Sequence, residues 1–247
     1  MNNTAPLAYS LSLLLVFRLI FYFPDKRLIL KNRFLKIAFE FVVLLPVICQ
    51  WHHLFILLIV VLINTLEHLA ERHFSQVYPA RLTGLLLLLL SFGFFSHLNW
   101  NAWIFSLLQK LPNNFWVSQL QKADAGYFWW LCFGWLLSLN ETNIFIRHLL
   151  NTLNLAPVNP EQPRQLDEQQ YNRGRVIGFL ERTAVYFLVF FGQYATIGLL
   201  LTAKGITRYK KLEERDFAEY FLIGTLLSTL TAGGLALIFR YLILKML

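Results

Sequence analysis

The stretch GRVIGFLERTAVYFLVFFGQYATIGLLLTAKGITRYKKLEERDFAEYFLIGTLLSTLTAGG, Gly174 to Gly234, holds two membrane-length apolar runs with charged residues before and between them. A helix needs about 20 apolar residues to cross the hydrocarbon of a bilayer. Thr183–Ala203 already has that length. We therefore expect a hairpin of two membrane helices with charged rims.

The composition of the whole chain agrees with a membrane protein. Of its 247 residues, 57% are hydrophobic and 15% are charged, whereas soluble domains average roughly 25% charged residues. Only helices and closed barrels satisfy their backbones in lipid, and the apolar runs lack the alternation of barrel strands. The sequence predicts an all-α, polytopic integral membrane protein with six or seven transmembrane helices.

Upstream of the hairpin, further apolar runs have the length of membrane helices. We divide the chain into an N-terminal transmembrane region, 1–150, a polar linker, 151–172, and the C-terminal hairpin, 173–247. The predicted spans of the first region are Leu7–Phe23, Ile37–Leu66, Leu82–Leu108 and Tyr127–Leu150.

Two of these upstream spans contain charged residues near an end. Arg18 can extend its long side chain to the membrane interface from the end of the first span. In Ile37–Leu66 we favour one helix kinked at Pro46 over two short halves, with Glu40 at the interface.

The formal net charge of +8 fits a membrane protein, because most cationic residues flank apolar runs. No nucleic-acid partner is needed to explain it. With the N-terminus outside, six spans place Lys204–Arg215 inside, whereas seven spans place that segment outside. Each arrangement leaves one basic segment, either Arg164–Arg182 or Lys204–Arg215, on the side that the positive-inside rule disfavours.

A group of acidic and histidine residues follows the second span. Glu67, His68 and Glu71 can share one helix face, but their spacing is not that of an H-E-x-x-H zinc motif. We expect a hydrated helix end and predict no metal or cofactor. Cys49 and Cys132 lie inside apolar runs and read as buried thiols.

Polar residues in or beside the apolar runs are the candidate functional groups. Glu141 lies deep in the membrane if its span reaches Leu150, and it is exposed to water if the helix ends near Leu139. Gln193 lies near the middle of Thr183–Ala203. The full candidate set is Glu141, Gln193, Glu181, Arg182, Lys204, Arg208, Arg215 and Glu219. Arg215 and Glu219 are four apart and can pair along a helix.

Small residues in the hairpin predict close helix packing, because lipid gives helices no hydrophobic reason to associate. Those on the two helices are Gly192, Gly198, Gly224, Ser228 and Ala232.

These features favour a helix-packing or partner-binding membrane component, with the bilayer and a homo-oligomer or membrane partner as its contacts. A channel or transporter that uses the polar groups is the alternative. An intramembrane enzyme ranks third, because the chain has no G-x-S-x-G elbow, H-E-x-x-H motif or phosphate-binding glycine loop. We assign no catalytic residue.

The C-terminal part resembles a family of bacterial inner-membrane proteins known only as a domain of unknown function. The resemblance rests on the blocks NIFIRHLL, GRVIGFLER, GQYATIG, AKGITRY and FAEYFLIGTLLS. It implies a multi-pass protein of the bacterial cytoplasmic membrane and supplies no activity.

Overall fold

The computed structural model describes residues 5–22, 33–47, 54–73, 77–94, 103, 106, 125–153 and 168–246. These residues form helices and short turns, with no β-strand among them, so the predicted all-α class is confirmed. The chain divides after Leu136 into two compact units.

Unit 1 contains five α-helices among its described residues. They are α1 Ala5–Tyr22, α2 Arg33–Leu44 with a 3₁₀ turn at Leu45–Val47, α3 Leu54–His73, α4 Val77–Phe94 and α5 Ala125–Leu136. Pro6 and Pro79 lie in the first turns of α1 and α4, where a missing backbone N–H costs little. α1 packs on α5: Ser12 Oγ donates to Trp129 O at 3.0 Å, and Tyr9 meets the Trp129 ring edge-on at 4.9 Å between centroids.

The predicted single helix over Ile37–Leu66 is wrong, because α2 and α3 fold back on each other. Asn64 Nδ2 donates to Glu40 Oε1 at 2.6 Å. In one continuous helix these residues would lie about 36 Å apart. Glu40 is buried rather than interfacial.

A second polar contact ties together α1, α3 and α4. Arg18 Nη1 lies 2.7 Å from Glu67 Oε2, and Arg18 Nη2 donates to Arg81 O at 2.9 Å. Arg18 therefore does not extend away from the protein, and Glu67 is not a hydrated helix end. The side chains of His68 and Glu71 lie outside what the structure describes.

Unit 2 begins with a π-helical turn at Leu137–Glu141. Its α-helices are α6 Thr142–Thr152, α7 Glu168–Phe190, α8 Tyr194–Thr207 and α9 Arg215–Met246, with a 3₁₀ turn at Tyr209–Glu213 between the last two. α7 begins five residues inside the predicted linker; residues 154–167 of that linker lie outside the described residues.

The chain reverses between α7 and α8, which corrects the predicted single span Thr183–Ala203. Gly192 has φ +76°, a left-handed conformation that suits glycine. Gln193 N donates to Leu188 O at 2.7 Å and Gly192 N to Val189 O at 3.0 Å. These two hydrogen bonds form a Schellman motif, which ends a helix. α7 and α8 are thus an antiparallel pair, called the short hairpin below.

α9 packs along the short hairpin through small residues. A Cβ atom at Gly233 would lie 3.5 Å from Val189 Cγ2, and Ala232 and Ala236 are buried. Arg240 Nη1 lies 3.5 Å from Tyr194 Oη, close to the turn at Gly192.

Among the described residues, one helix is long and apolar enough to cross a membrane, Phe217–Lys245 of α9. Shorter apolar helices cover Ala5–Ile20, Ala38–Val47, Leu54–Glu67 and Tyr78–Gly93.

Candidate functional site: a cation-lined cavity

Unit 2 contains an open cavity of about 210 Å³ between α6, α7, α8 and α9. Four cationic side chains and one carboxylate line it, a net charge of +3. They are Arg147, Arg182, Lys204, Arg208 and Glu181. Polar side chains of Asn143, Tyr220, Thr225 and Ser228 add hydrogen-bonding groups, whereas Ile146, Leu150, Ile177 and Phe221 supply apolar wall.

Helical periodicity brings these residues to one place. On α6, Asn143, Ile146, Arg147 and Leu150 follow the i, i+3, i+4, i+7 spacing of a single face. The lining residues of α7 repeat that spacing from Gly174 to Arg182. Two helix faces therefore form walls of the cavity.

The short hairpin supplies an ion pair to the cavity. Lys204 Nζ lies 2.6 Å from Glu181 Oε2, and the two side chains are 17% and 19% exposed. Because Lys204 is on α8 and Glu181 on α7, this contact requires the reversal at Gly192. The other three charged residues of the cavity lining are arginines, so the formal charges of the lining sum to +3.

Arg182 is held deep in the cavity wall. Its residue is only 5% exposed, and its Nε donates to Leu139 O at 3.1 Å, inside the π-helical turn. Its guanidinium lies 5.4 Å from the centre of the Phe179 ring, a cation–π distance. A Cβ atom at Gly178 would lie 3.3 Å from Arg182 Nη1, so the absent side chain makes room for the guanidinium.

Lys204 and Arg208 share an aromatic support. Lys204 Nζ and Arg208 Cζ lie 5.4 and 5.5 Å from the centre of the Phe221 ring. The ring face attracts both cations and keeps them together on the same side of α9.

Glu141 lies in the π-helical turn and is 3% exposed. The alternative in which the helix ends near Leu139 and Glu141 is exposed to water is therefore wrong. Asn140 Nδ2 donates to Glu141 Oε1 at 3.1 Å. Glu141 is not among the residues that line the cavity. π-helical turns are frequent at functional sites, and this one contributes the Leu139 carbonyl that positions Arg182.

The remaining predicted polar residues lie elsewhere. Gln193 is exposed in the turn between α7 and α8, not in the middle of a span. Arg215 and Glu219 form the predicted pair at 2.9 Å on an exposed part of α9, with side chains 89% and 60% exposed. Neither residue lines the cavity.

The predicted packing residues have different surroundings. Gly192 is a turn residue and not part of a helix face. Gly198 is exposed, and a Cβ atom there would meet nothing within 4 Å. Gly224 and Ser228 line the cavity, whereas Ala232 is fully buried.

Sequence reasoning missed Arg147, Asn143, Tyr220 and Thr225 as site residues. The spacing of Asn143 and Arg147 with two apolar residues was a usable signal, because it marks one helix face. Nothing in the spacing of Tyr220 and Thr225 relates them to α6, since that relation arises only from the tertiary fold.

Comparison of the chain with models of protein families, with curated proteins and with solved structures finds no match. The family resemblance of the C-terminal blocks therefore stays a prediction.

Proposed function

We propose that this chain is a multi-pass protein of the bacterial cytoplasmic membrane that binds a partner through an anionic group. The observation that carries the proposal is the convergence of four cationic side chains on one open cavity with a single carboxylate. Clefts lined by one sign of charge concentrate ligands of the opposite sign. Arginine in particular presents several donors to carboxylate or phosphate oxygens.

The reversal at Gly192 supports a consistent membrane orientation for unit 2. The legs Thr183–Phe190 and Tyr194–Ala203 run in opposite directions. Because the chain returns to the side from which it came, the basic residues in the first half of α7 and those after α8 lie on one side of the membrane. Both can then be cytoplasmic, as the positive-inside rule favours. α9 carries the C-terminus to the opposite side.

Titration calorimetry on the purified protein in an uncharged detergent tests the binding function, with glycerol 3-phosphate as the probe. We expect saturable binding that weakens as salt is added, because salt screens exposed charges. The double variant Arg147→Gln/Arg208→Gln removes two cavity cations and loses this binding. Arg215→Gln removes an exposed cation outside the cavity and keeps it. Equal heats for all three proteins would contradict the proposal.

A second candidate function, self-association, is favoured by an exposed apolar surface on α8 and α9. Leu199, Ile206, Leu222 and Leu230 are each more than half exposed, and Gly198 leaves an open notch beside Leu199. A helix from a second copy fits such a surface, because small residues allow close approach. Leu230→Cys protein should form disulfide-linked dimers in native membranes, whereas Glu213→Cys protein should not. Monomers alone would exclude this arrangement.

A further inference from the structure

We infer that the anionic group bound in the cavity is the phosphate of a membrane phospholipid, held by Arg147, Arg182 and Arg208 while its acyl chains lie along α7 and α9. This inference rests on the proposed binding function and specifies the ligand class. Three properties of the cavity carry it: its charge, its apolar lining and its relation to the basic segments of unit 2.

The charge of the cavity suits a phosphate. Glu181 is satisfied by Lys204 at 2.6 Å, so the ion pair accounts for the carboxylate and one cation. The other charged residues of the lining are the three arginines. A guanidinium donates paired hydrogen bonds to phosphate oxygens in a fixed geometry. Arg182 is already oriented by Leu139 O, which lowers the entropy lost when it binds an anion.

The surroundings of the cavity suit an amphiphile rather than a small soluble anion. Ile146, Leu150 and Ile177 line the cavity itself. Phe221 of α9 lines it as well. Inorganic phosphate has nothing to place against these side chains. A phospholipid covers them with its acyl chains and gains free energy from each buried methylene.

The position of the cavity suits the cytoplasmic leaflet. Lys204 lies in the last turn of α8 and Arg208 follows its last residue. Lys210 and Lys211 come next in the sequence. In the sequence, Arg173 and Arg175 flank Gly174, the first residue of α7 that lines the cavity. Anionic lipids are concentrated on the cytoplasmic side, and basic pockets between membrane helices bind their head groups. The orientation proposed above thus brings cavity and lipid to the same leaflet.

Native mass spectrometry after reconstitution tests the inference. The protein is placed in nanodiscs that contain equal amounts of phosphatidylglycerol and phosphatidylcholine, then released in detergent. We expect one retained phosphatidylglycerol molecule per chain. Arg147→Gln and Arg208→Gln should each weaken its retention about fivefold, because each removes one cation that lines the cavity. Arg215→Gln is the matched control and should leave retention unchanged.

Competition with glycerol 3-phosphate distinguishes binding of the whole lipid from binding of its soluble head group alone. We expect that phosphatidylglycerol binds at least tenfold more tightly, because only the lipid carries acyl chains. Equal affinities would overturn the lipid inference and leave the anion-binding function standing. Lipid retention that the cavity variants do not change would also overturn it. If neither ligand binds, both proposals fall. Size-exclusion profiles like that of the unmodified protein establish that each variant is folded.

Discussion

Lys204 Nζ contacts Glu181 Oε2 at 2.6 Å, although the two residues are 23 positions apart in the chain. In one continuous helix they would be about 34 Å apart. This ion pair therefore marks the reversal of α7 and α8, and it forms part of the wall of the cavity. It also lies in a partly dry environment, so the loss of either partner leaves a poorly solvated charge.

Single substitutions that break this pair should destabilise unit 2. We expect Glu181→Gln or Lys204→Met to cost about 1–3 kcal/mol, the penalty for an unsatisfied buried polar group. The double variant should lose less than the sum of the two, because no charge is then left alone. Thermal unfolding in detergent measures both.

The matched control is the exposed pair on α9. Arg215→Gln or Glu219→Gln should change the free energy of unfolding by less than about 1 kcal/mol, as surface ion pairs do. Equal losses at the exposed pair and at the pair between α7 and α8 would show that burial does not matter here.

Gly192 should tolerate no side chain without a stability loss. Alanine in the left-handed region costs about 1–2 kcal/mol, so Gly192→Ala should lower the unfolding temperature. Gly198→Ala is the control on the next helix: its Cβ atom meets nothing within 4 Å, and alanine favours helices by up to about 1 kcal/mol over glycine. A neutral Gly192→Ala variant would argue against the turn.

Gly178 should matter for anion binding rather than for helix stability. Gly178→Ala adds a methyl group 3.3 Å from Arg182 Nη1 and should displace the guanidinium. We expect phosphatidylglycerol retention to fall severalfold in native mass spectra. Gly198→Ala on α8 has nothing within 4 Å of its Cβ atom and lies outside the cavity lining, so it should leave retention intact. Identical phosphatidylglycerol retention in the two variants would show that Arg182 does not contribute to binding.

Cysteine accessibility tests whether Thr183–Ala203 forms the two legs of the short hairpin or one helix that crosses the membrane. In a background with Cys49 and Cys132 replaced by serine, Gly174→Cys and Glu213→Cys should react with a membrane-impermeant maleimide only after the membrane is opened. Lys245→Cys should react in intact spheroplasts, because α9 has crossed to the other side. Reaction of Gly174→Cys and Glu213→Cys from opposite sides would restore one continuous helix over Thr183–Ala203.

In unit 1, Gly84 lies against the ion pair of Arg18 and Glu67. A Cβ atom at Gly84 would lie 2.5 Å from Glu67 Oε2. The carboxylate is held by Arg18, so it cannot move away without loss of the pair. We expect Gly84→Ala to destabilise the protein by about 1–3 kcal/mol in thermal unfolding. Gly93→Ala on the same helix meets nothing within 4 Å and should be neutral or slightly stabilising.

Local patterns in the sequence predicted local structure well. The helical class followed from composition and the length of the apolar runs, and the pair of Arg215 and Glu219 followed from their spacing of four. Glu141 needed the structure, because its burial depends on helices that come later in the chain.

The two reversals were missed because hydropathy measures length and apolar content, not direction. Polar residues interrupt both apolar runs in the sequence, where Gln193 follows Gly192 and where Gln50 follows Pro46. A glycine followed by a polar residue is a usable helix-end signal. The cavity cations were harder to group, since Arg147 and Lys204 come to line the same cavity only through tertiary packing.

The reversal at Gly192 also has a consequence for how the protein is made. The legs Thr183–Phe190 and Tyr194–Ala203 have eight and ten residues, about 12 and 15 Å of helix. Neither can enter the hydrocarbon as an independent segment during synthesis. We expect both to wait in the translocon until α9 emerges and all three helices move into the lipid together. A chain that ends at Glu213 should therefore leave Gly198→Cys open to a water-soluble thiol reagent, whereas the full chain should protect it.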